Sequence, residues 1–536
     1  MKKIITLLTG MMLAVSLVLT GTGSKAGAAA EAKEKVLVVG RMADSVILDP
    51  INASDNESWR ATEQIYDNLV VLNPKNFDII PSLATSWKIS PDGKVYTFTL
   101  RDGVKFHDGT DFNAAAVVFN IVRWWDKSNP YHTGGTFPYF TLGFGGFKGD
   151  PKSIIQDVKA VDKNHVQITL NSPFAPFLYY MAMCYTPIAS PDAIKKYGDQ
   201  FGRHPVGTGP FIFQEWKTND TLSLVKNPIY WQKGLPKLDK LIFRTIPDAT
   251  ARLTALQNGE LDLMDGLNPS DVASVTGDRK LQLIKRPAVN VGEVNFNVTK
   301  PPFDNVKVRQ ALSMAVNKQG LIDAFYYGLA IPAKSVLSAS SWAYNQNLKD
   351  YQYDPDAAKK LLAEAGYPNG FTTDFWVMPV SRPYMPQPQT IAESLQADFA
   401  KIGVKTNIIS LDWATYLKKA YNGEIPMAMW GLTITIEPDY AMTFTYDKNR
   451  ATPPNATNIA LYKSDKVTDL IGQARKNVNQ NERAKLYAEA QQIAHDDAPI
   501  LFLVHSIPVL AAADYVKNFI PLLEALEKYE NVDIQK

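Results

Sequence analysis

Cysteine and histidine are scarce in this sequence. Of 536 residues, one is cysteine and six are histidine. The single cysteine, Cys184, excludes an intrachain disulfide, and its apolar neighbours favour a buried structural thiol over a nucleophile. No two histidines stand at metal-ligand spacing, so we expect no built-in zinc site and no metal or other cofactor; the six are His107, His132, His165, His204, His495 and His505.

The common catalytic motifs are also missing. There is no Gly-x-Ser-x-Gly elbow, no His-Glu-x-x-His helix and no Gly-x-x-x-x-Gly-Lys-Ser/Thr loop. Gly207-Thr208-Gly209 is followed by Pro210, which fits a turn rather than a phosphate cradle. We therefore expect a protein that is not an enzyme. A secreted hydrolase remains the alternative, because paired carboxylates need only be close in space.

Neither charge sign dominates, and no long apolar run occurs after the N-terminus. The 56 basic and 54 acidic residues leave a net charge of +2, and they are interspersed, so we expect no nucleic-acid partner. No later segment is apolar for long enough to span a bilayer. A chain of 536 residues is too long for one core, which predicts two or three domains.

The N-terminus has the features of an export signal over residues 1–30. Lys2 and Lys3 precede an apolar segment from Ile4 to Leu19, and small residues follow. Within the stretch 19–24, which resembles a lipobox, Thr22 stands where a lipidated cysteine would be. The sequence therefore supports no lipid anchor. It leaves open a plain signal peptide or an altered lipoprotein. In either case we expect an exported protein, which is either periplasmic or extracellular, including the cell surface.

Strand-like and helix-like segments alternate along the chain. Tyr96–Leu100 has the two-residue period of a half-buried strand, and Asn113 is placed to cap an apolar helix over 114–122. A strand at 405–411, a helix at 413–421 and a strand at 426–430 follow one another later. Further helices are predicted at 249–258, 305–317, 356–365, 389–402 and 482–495. This order predicts α/β domains.

Several motifs in chain order resemble one known family. The most informative is the turn–strand–turn–helix of residues 83–123, LATSWKISPDGKVYTFTLRDGVKFHDGTDFNAAAVVFNIVR. Others are HPVGTGPF, NP with YW, KVRQAL with AVNK, YDP with AGY, and PVSRPY, beginning at 204, 227, 307, 353 and 379. Together they resemble the extracytoplasmic solute-binding proteins of family 5, which serve peptide and nickel ABC importers. Within that family the chain is most similar to periplasmic dipeptide-binding proteins.

The resemblance implies a fold, a domain organisation and a function. The fold would be the α/β periplasmic binding protein-like type II fold (cluster C), with two α/β lobes, a hinge and an extra α+β domain. The implied ranges are 36–80, 205–300 and 505–536 for lobe I, 81–204 for the extra domain and 301–504 for lobe II. A monomer would enclose its ligand between the lobes and deliver it to the transmembrane subunits of an ABC permease.

Arg382 is the residue that the resemblance assigns to a peptide carboxylate, because a guanidinium fork binds this group bidentately. The family's peptide binders hold the peptide amine with an aspartate, and that position is Ile434 here. An isoleucine cannot compensate a buried ammonium. Either another acid takes this role, with Asp55, Glu57, Glu437 and Asp439 as candidates, or the ligand has no free amine.

The remaining candidates lie in the same segments. The stretch Asp55-Asn56-Glu57-Ser58-Trp59 falls where family members place a loop that lines the ligand. Trp413 and Trp430 offer apolar walls, Gly431 and Thr433 flank Trp430, and His132 is a weaker candidate. We expect a short peptide, of dipeptide or oligopeptide type, as the ligand. The alternative is a non-peptide ligand such as a nickel chelate, haem or an oligosaccharide.

Overall fold

Alternating apolar side chains form the strands of this protein. In Val95–Leu100, Tyr96, Phe98 and Leu100 are buried and the residues between them are partly exposed, as expected for a strand with one face on a core. The computed structural model describes residues 34–433, 437–523 and 526–536. Its strands are β1 (Val36–Arg41), β2 (Val70–Leu72), β3 (Ile79–Pro81), β4 (Ala84–Ile89), β5 (Val95–Leu100), β6 (Ile155–Ala160), β7 (His165–Leu170), β8 (Phe211–Lys217), β9 (Thr221–Lys226), β10 (Lys240–Thr245), β11 (Leu263–Met264), β12 (Leu281–Lys285), β13 (Asn290–Phe296), β14 (Ala330–Pro332), β15 (Thr372–Trp376), β16 (Lys405–Ile409), β17 (Met427–Thr433), β18 (Ile500–Ser506), β19 (Val509–Ala513), β20 (Val516–Lys517) and β21 (Asp533–Ile534).

Most of the helices begin after a residue whose side chain caps them. The side chains of Asn113 and Asp248 accept backbone N–H groups from the first turn of their helices, at Ala116 and Ala251, which confirms the cap predicted at Asn113. The helices are α1 (Asn56–Ile65), α2 (Ala114–Trp125), α3 (Pro138–Phe144), α4 (Phe177–Met181), α5 (Pro191–Tyr197), α6 (Ala249–Gln257), α7 (Val272–Gly277), α8 (Val306–Met314), α9 (Lys318–Phe325), α10 (Pro355–Glu364), α11 (Pro388–Lys401), α12 (Trp413–Tyr421), α13 (Pro438–Tyr446), α14 (Asp465–Lys476) and α15 (Gln480–Asp497). The α/β class is confirmed.

Three sheets organise the described part of the chain. A seven-stranded sheet has the order β12-β19-β11-β1-β10-β9-β8, with β1 parallel to β10 and β11. A six-stranded sheet has the order β14-β18-β13-β17-β15-β16, and an antiparallel four-stranded sheet has the order β4-β5-β7-β6. β2 with β3, and β20 with β21, form smaller pairs.

The strands of each sheet can be compared with the domain ranges expected from the sequence. The seven-stranded sheet uses strands from the ranges expected for lobe I, and the four-stranded sheet lies within 81–204. The six-stranded sheet, however, includes β13, which pairs with β17 and β18 and is buried along its whole length. We therefore propose that lobe II begins near residue 289 rather than at 301; the domain division itself remains a prediction.

Two short segments connect the seven-stranded and six-stranded sheets. Residues 286–289 join β12 to β13, and residues 507–508 join β18 to β19. They run side by side: the Arg286 N–H donates to the Pro508 carbonyl at 2.9 Å, and the Asn290 side chain donates to the Ser506 carbonyl at 3.1 Å. Paired short crossings of this kind are suited to a hinge.

A buried ionic cluster lies beside these crossings. Arg286 contacts both Asp265, after β11, and Glu527 in the C-terminal segment, the latter at 2.7 Å. Arg60 of α1 also pairs with Asp265. Burial opposes ionisation of Asp265, but Arg286 and Arg60 outweigh it and lower its pKa. The cluster ties α1 and the C-terminal segment to the crossing at 286–289.

No helix in the described ranges is both long enough and apolar enough to cross a membrane. The expected export signal lies outside the described residues.

Candidate ligand-binding site

The segment 55–59 is the start of α1, so the expected ligand-lining loop is wrong in its conformation. Asp55 is the N-cap: its carboxylate accepts the Ser58 N–H at 2.8 Å and the Ser58 hydroxyl at 2.7 Å. Glu57 is buried beside Arg60, at 3.5 Å from its Nε, and Asn56 is exposed in the first turn. Trp59 is buried, donates to the Pro50 carbonyl and packs edge-on against Tyr139. An aspartate at the N-cap position is itself a helix-start signal.

Arg382, Trp413 and Trp430 come together as the sequence suggested. Arg382 is exposed, and its guanidinium carbon lies 5.6 Å from the centre of the Trp413 ring. The Trp413 ring is stacked on Trp430 at 6.3 Å, and both lie near Tyr416. A guanidinium above an indole face is held by cation–π attraction while its N–H groups remain able to donate.

The position of Arg382 is set by contacts of its own loop with β17. Tyr384 lies against Gly431, where a Cβ atom would come within 2.3 Å of the Tyr384 ring, and the Tyr384 carbonyl accepts the Tyr326 hydroxyl at 2.8 Å. Backbone bonds join Arg382 and Met385 in both directions. Gly431 therefore permits the close approach of this loop to the strand.

The end of β17 leads toward the crossings. Thr433 is exposed and, with Pro383, lines a recess of about 30 Å³ that also includes Val289 and Leu522. Ile434, the residue at the family's aspartate position, lies outside the described residues. The Arg382 loop thus borders the region where the two large sheets are connected.

Glu437 and Asp439 have ionic partners within the protein. Glu437 caps α13 and pairs with Arg483 of α15, and Asp439 accepts from Arg475 of α14 at 2.9 Å. Burial raises the pKa of Glu437 to about 7, although Arg483 opposes this. These contacts give both acids a role in joining three helices, and binding of an amine by either remains a prediction.

His132 lies apart from this group. Its ring stacks on Phe137 at 4.0 Å, and its Nδ1 is 2.8 Å from the Arg123 carbonyl. Burial lowers its pKa. In the described ranges no cluster of three or more His, Cys, Asp or Glu side chains could hold a metal ion. Cys184 is buried, and burial raises the pKa of its thiol, which agrees with a structural role.

A large cavity, which sequence reasoning missed, lies between residues 139–180 and 439–476. Its volume is about 940 Å³, at the upper end of the range for ligand pockets. One wall comes from α3 and the segments around the four-stranded sheet, and the other from α13 and the end of α14. The two walls meet where the Ala175 N–H donates to the Arg475 carbonyl at 2.8 Å. No local pattern could reveal a cavity whose walls lie some 300 residues apart in sequence.

The cavity and the aromatic group around Arg382 are neighbours. Burial raises the pKa of Tyr384 to about 12 and raises that of Tyr440, a cavity residue, and Tyr421 adds to both shifts. Tyr421 also meets Trp430 edge-on at 6.0 Å. Trp430 also lines a small recess together with Phe444 and Thr457, and these two residues line the large cavity as well. The aromatic group therefore borders the cavity.

The model of one protein family, the bacterial extracellular solute-binding proteins, family 5 Middle, matches residues 78–453. The chain belongs to this family. It is 41% identical to heme-binding protein A of Haemophilus influenzae over 475 residues, 86% of this chain and 85% of that protein. It is 39% identical to the dipeptide-binding protein of Escherichia coli over 487 residues, covering 88% and 89%.

Family 5 membership also establishes the architecture. A solved structure of the periplasmic binding protein DppA from Helicobacter pylori in complex with peptide STSA matches with a TM-score of 0.78 and 35% identity, over 94% of this chain and 98% of that one. The fold is thus the type II periplasmic binding protein fold. Family 5 is a family of extracellular solute-binding proteins rather than enzymes, and it works with ABC permeases.

Proposed function

We propose that this chain is the substrate-binding protein of an ABC importer and captures short peptides or peptide-like molecules outside the cell. The observation that carries the proposal is the exposed guanidinium of Arg382 above the Trp413 ring, which is itself stacked on Trp430. This arrangement offers a charged fork for a carboxylate beside an apolar wall. A guanidinium has five N–H groups that can donate hydrogen bonds. One of those of Arg382 donates to the Ser381 carbonyl at 3.1 Å.

Relatives support a peptide ligand. The E. coli relative is a dipeptide-binding protein, and the H. pylori structure holds a peptide. In our proposal the protein performs no chemistry, acts as a monomer, binds no nucleic acid and delivers its ligand to the permease. Export by the signal of residues 1–30, without a lipid anchor at Thr22, belongs to the same proposal.

The second candidate function is binding of a non-peptide ligand, with haem as the case that a specific observation favours. The relative at 41% identity is heme-binding protein A. Ile434 supports this alternative, since an isoleucine gives a peptide amine no charged partner. Haem carries carboxylates but no amine, so Arg382 would serve either ligand.

A thermal-shift screen tests the proposal. The panel contains di- to tetrapeptides, their N-acetylated forms, nickel chelates, haem and oligosaccharides, and a ligand that binds only the folded state raises the melting temperature. We expect stabilisation by peptides. Stabilisation by haem or another non-peptide alone would contradict the peptide proposal, and turnover of peptides or glycosides in a parallel assay would contradict the absence of chemistry.

A further inference from the structure

The large cavity carries an excess of positive charge. Its charged lining residues are Lys152, Arg450, Arg475, Lys476 and Asp439. Asp439 is paired with Arg475, so these two charges compensate each other. Three cationic side chains and no further carboxylate then remain along the lining.

These three cations have no acidic partner among the described residues. Lys152, Arg450 and Lys476 are exposed, and none of them forms an ion pair within the described ranges. Two lysines near the cavity in sequence differ in this respect. Lys448 pairs with Asp465, and Lys466 pairs with Glu489 at 2.9 Å. Like charges along one cavity repel one another, and an anion within the cavity would relieve this repulsion.

The rest of the lining is suited to an organic anion rather than to a bare inorganic ion. Aromatic side chains cover much of the wall, namely Tyr139, Phe174, Tyr180, Tyr440 and Phe444. Phe444 and Thr457 of this lining also line a small recess that includes Trp430 of β17. The cavity is thus adjacent to Trp430, on which the Trp413 ring is stacked.

We propose that the cavity selects peptide-like ligands of net negative charge, which carry a second carboxylate in addition to the one bound at Arg382. The second carboxylate lies among Lys152, Arg450 and Lys476. This inference rests on the proposed function and names its substrate class. The apolar side chain at Ile434 agrees with it, because the protein then offers cations for two carboxylates and no acid at that position for an amine.

Calorimetric titration with two matched dipeptides tests this inference. Ala-Glu and Ala-Gln have nearly the same shape and differ by one negative charge. We expect Ala-Glu to bind about tenfold more tightly, with an advantage that shrinks at about 0.5 M NaCl. Arg450→Gln and Lys476→Gln should each reduce the advantage about threefold. Lys360→Gln is the matched control, since Lys360 is an exposed lysine of α10 outside the cavity.

The outcomes separate this inference from the proposed function. Equal affinities for the two peptides, or an advantage that both cavity variants leave intact, would overturn the inference and leave peptide binding established. Absence of binding by both peptides would contradict the proposed function, and the inference with it. Because the substituted side chains are exposed, melting temperatures close to that of the wild type should confirm that the variants are folded.

Discussion

At the residue scale, Arg382 is the proposed partner of the ligand carboxylate. Replacing it by alanine removes a charge-assisted fork, so free-acid peptides should bind about 2 kcal/mol more weakly, roughly 30-fold. Peptides with an amidated C-terminus should bind the wild type and Arg382→Ala equally. Calorimetric titration measures both, with Arg279→Ala as control because Arg279 is exposed and lies outside the site. Equal loss for free and amidated peptides would show that Arg382 does not bind the carboxylate.

Gly431 allows the Arg382 loop to pack closely on β17 because it has no Cβ atom. A Cβ atom there would come within 2.3 Å of the Tyr384 ring and 2.4 Å of the Val291 carbonyl. Gly431→Ala should therefore lower the free energy of unfolding by about 2 kcal/mol, because the strand and the loop must separate. Gly472→Ala is the matched control: Gly472 lies in α14 with open space around it, and alanine should stabilise a helix by about 0.5–1 kcal/mol. Urea unfolding compares them, and an unchanged Gly431→Ala midpoint would refute the packing argument.

At the scale of elements, the carboxylate of Asp55 caps the N-terminus of α1. Both carboxylate oxygens of Asp55 accept from Ser58. Asp55→Ala should lower the free energy of unfolding by about 1 kcal/mol, whereas Asp55→Asn, an equally good cap, should change it little. Peptide affinity of Asp55→Asn should equal that of the wild type. A selective loss of affinity for free peptides, but not for N-acetylated ones, would instead assign Asp55 to the ligand amine.

Strand β13 places a carboxylate inside the six-stranded sheet. Glu293 is 1% exposed, its Oε1 accepts from Asn295 at 2.9 Å, and no described group is within hydrogen-bonding distance of its Oε2. Burial raises its pKa to about 7, with Asn295 opposing the shift. The folded state therefore keeps the proton at pH values where the unfolded state has released it. This group stabilises the fold at low pH, and its contribution is lost as the pH rises from about 4.5 to about 7.

Denaturation at pH 5 and at pH 8 measures this effect. The wild type should gain about 3 kcal/mol from Glu293 at the lower pH, and Glu293→Gln should lack this component. The matched control is Glu393→Gln, because Glu393 is exposed on α11. Parallel pH dependence in the wild type and Glu293→Gln would contradict a buried, proton-binding Glu293.

Local signals explain which elements were predictable. Asn113 and Asp248 stand directly before apolar helical patterns, and helix α12 was predicted with its observed bounds, because caps and periodicity act over a few residues. Asp55 carries the same capping signal, but the resemblance directed attention to a loop instead. The membership of β13 in the six-stranded sheet was missed, because sheet order depends on pairing partners more than 100 residues away.

At the scale of the whole molecule, one part of the candidate site could be predicted from the sequence and another part could not. Arg382 was predicted from the PVSRPY motif, and Trp413 and Trp430 as apolar walls; the fold places Arg382 over Trp413 and stacks Trp413 on Trp430. The cavity could not be found in this way, since its walls come from distant segments. The crossings at 286–289 and 507–508, and the ionic cluster around Asp265, are likewise products of the complete fold.

The most direct test of the central claim is to identify what the protein retains. The chain without residues 1–30 is incubated with a mixture of random di- to tetrapeptides, haem and nickel chelates, separated from free ligand by gel filtration, and analysed by mass spectrometry. We expect peptides to be retained by the wild type and lost from Arg382→Ala. Retention of haem or a nickel chelate without any peptide would contradict this expectation.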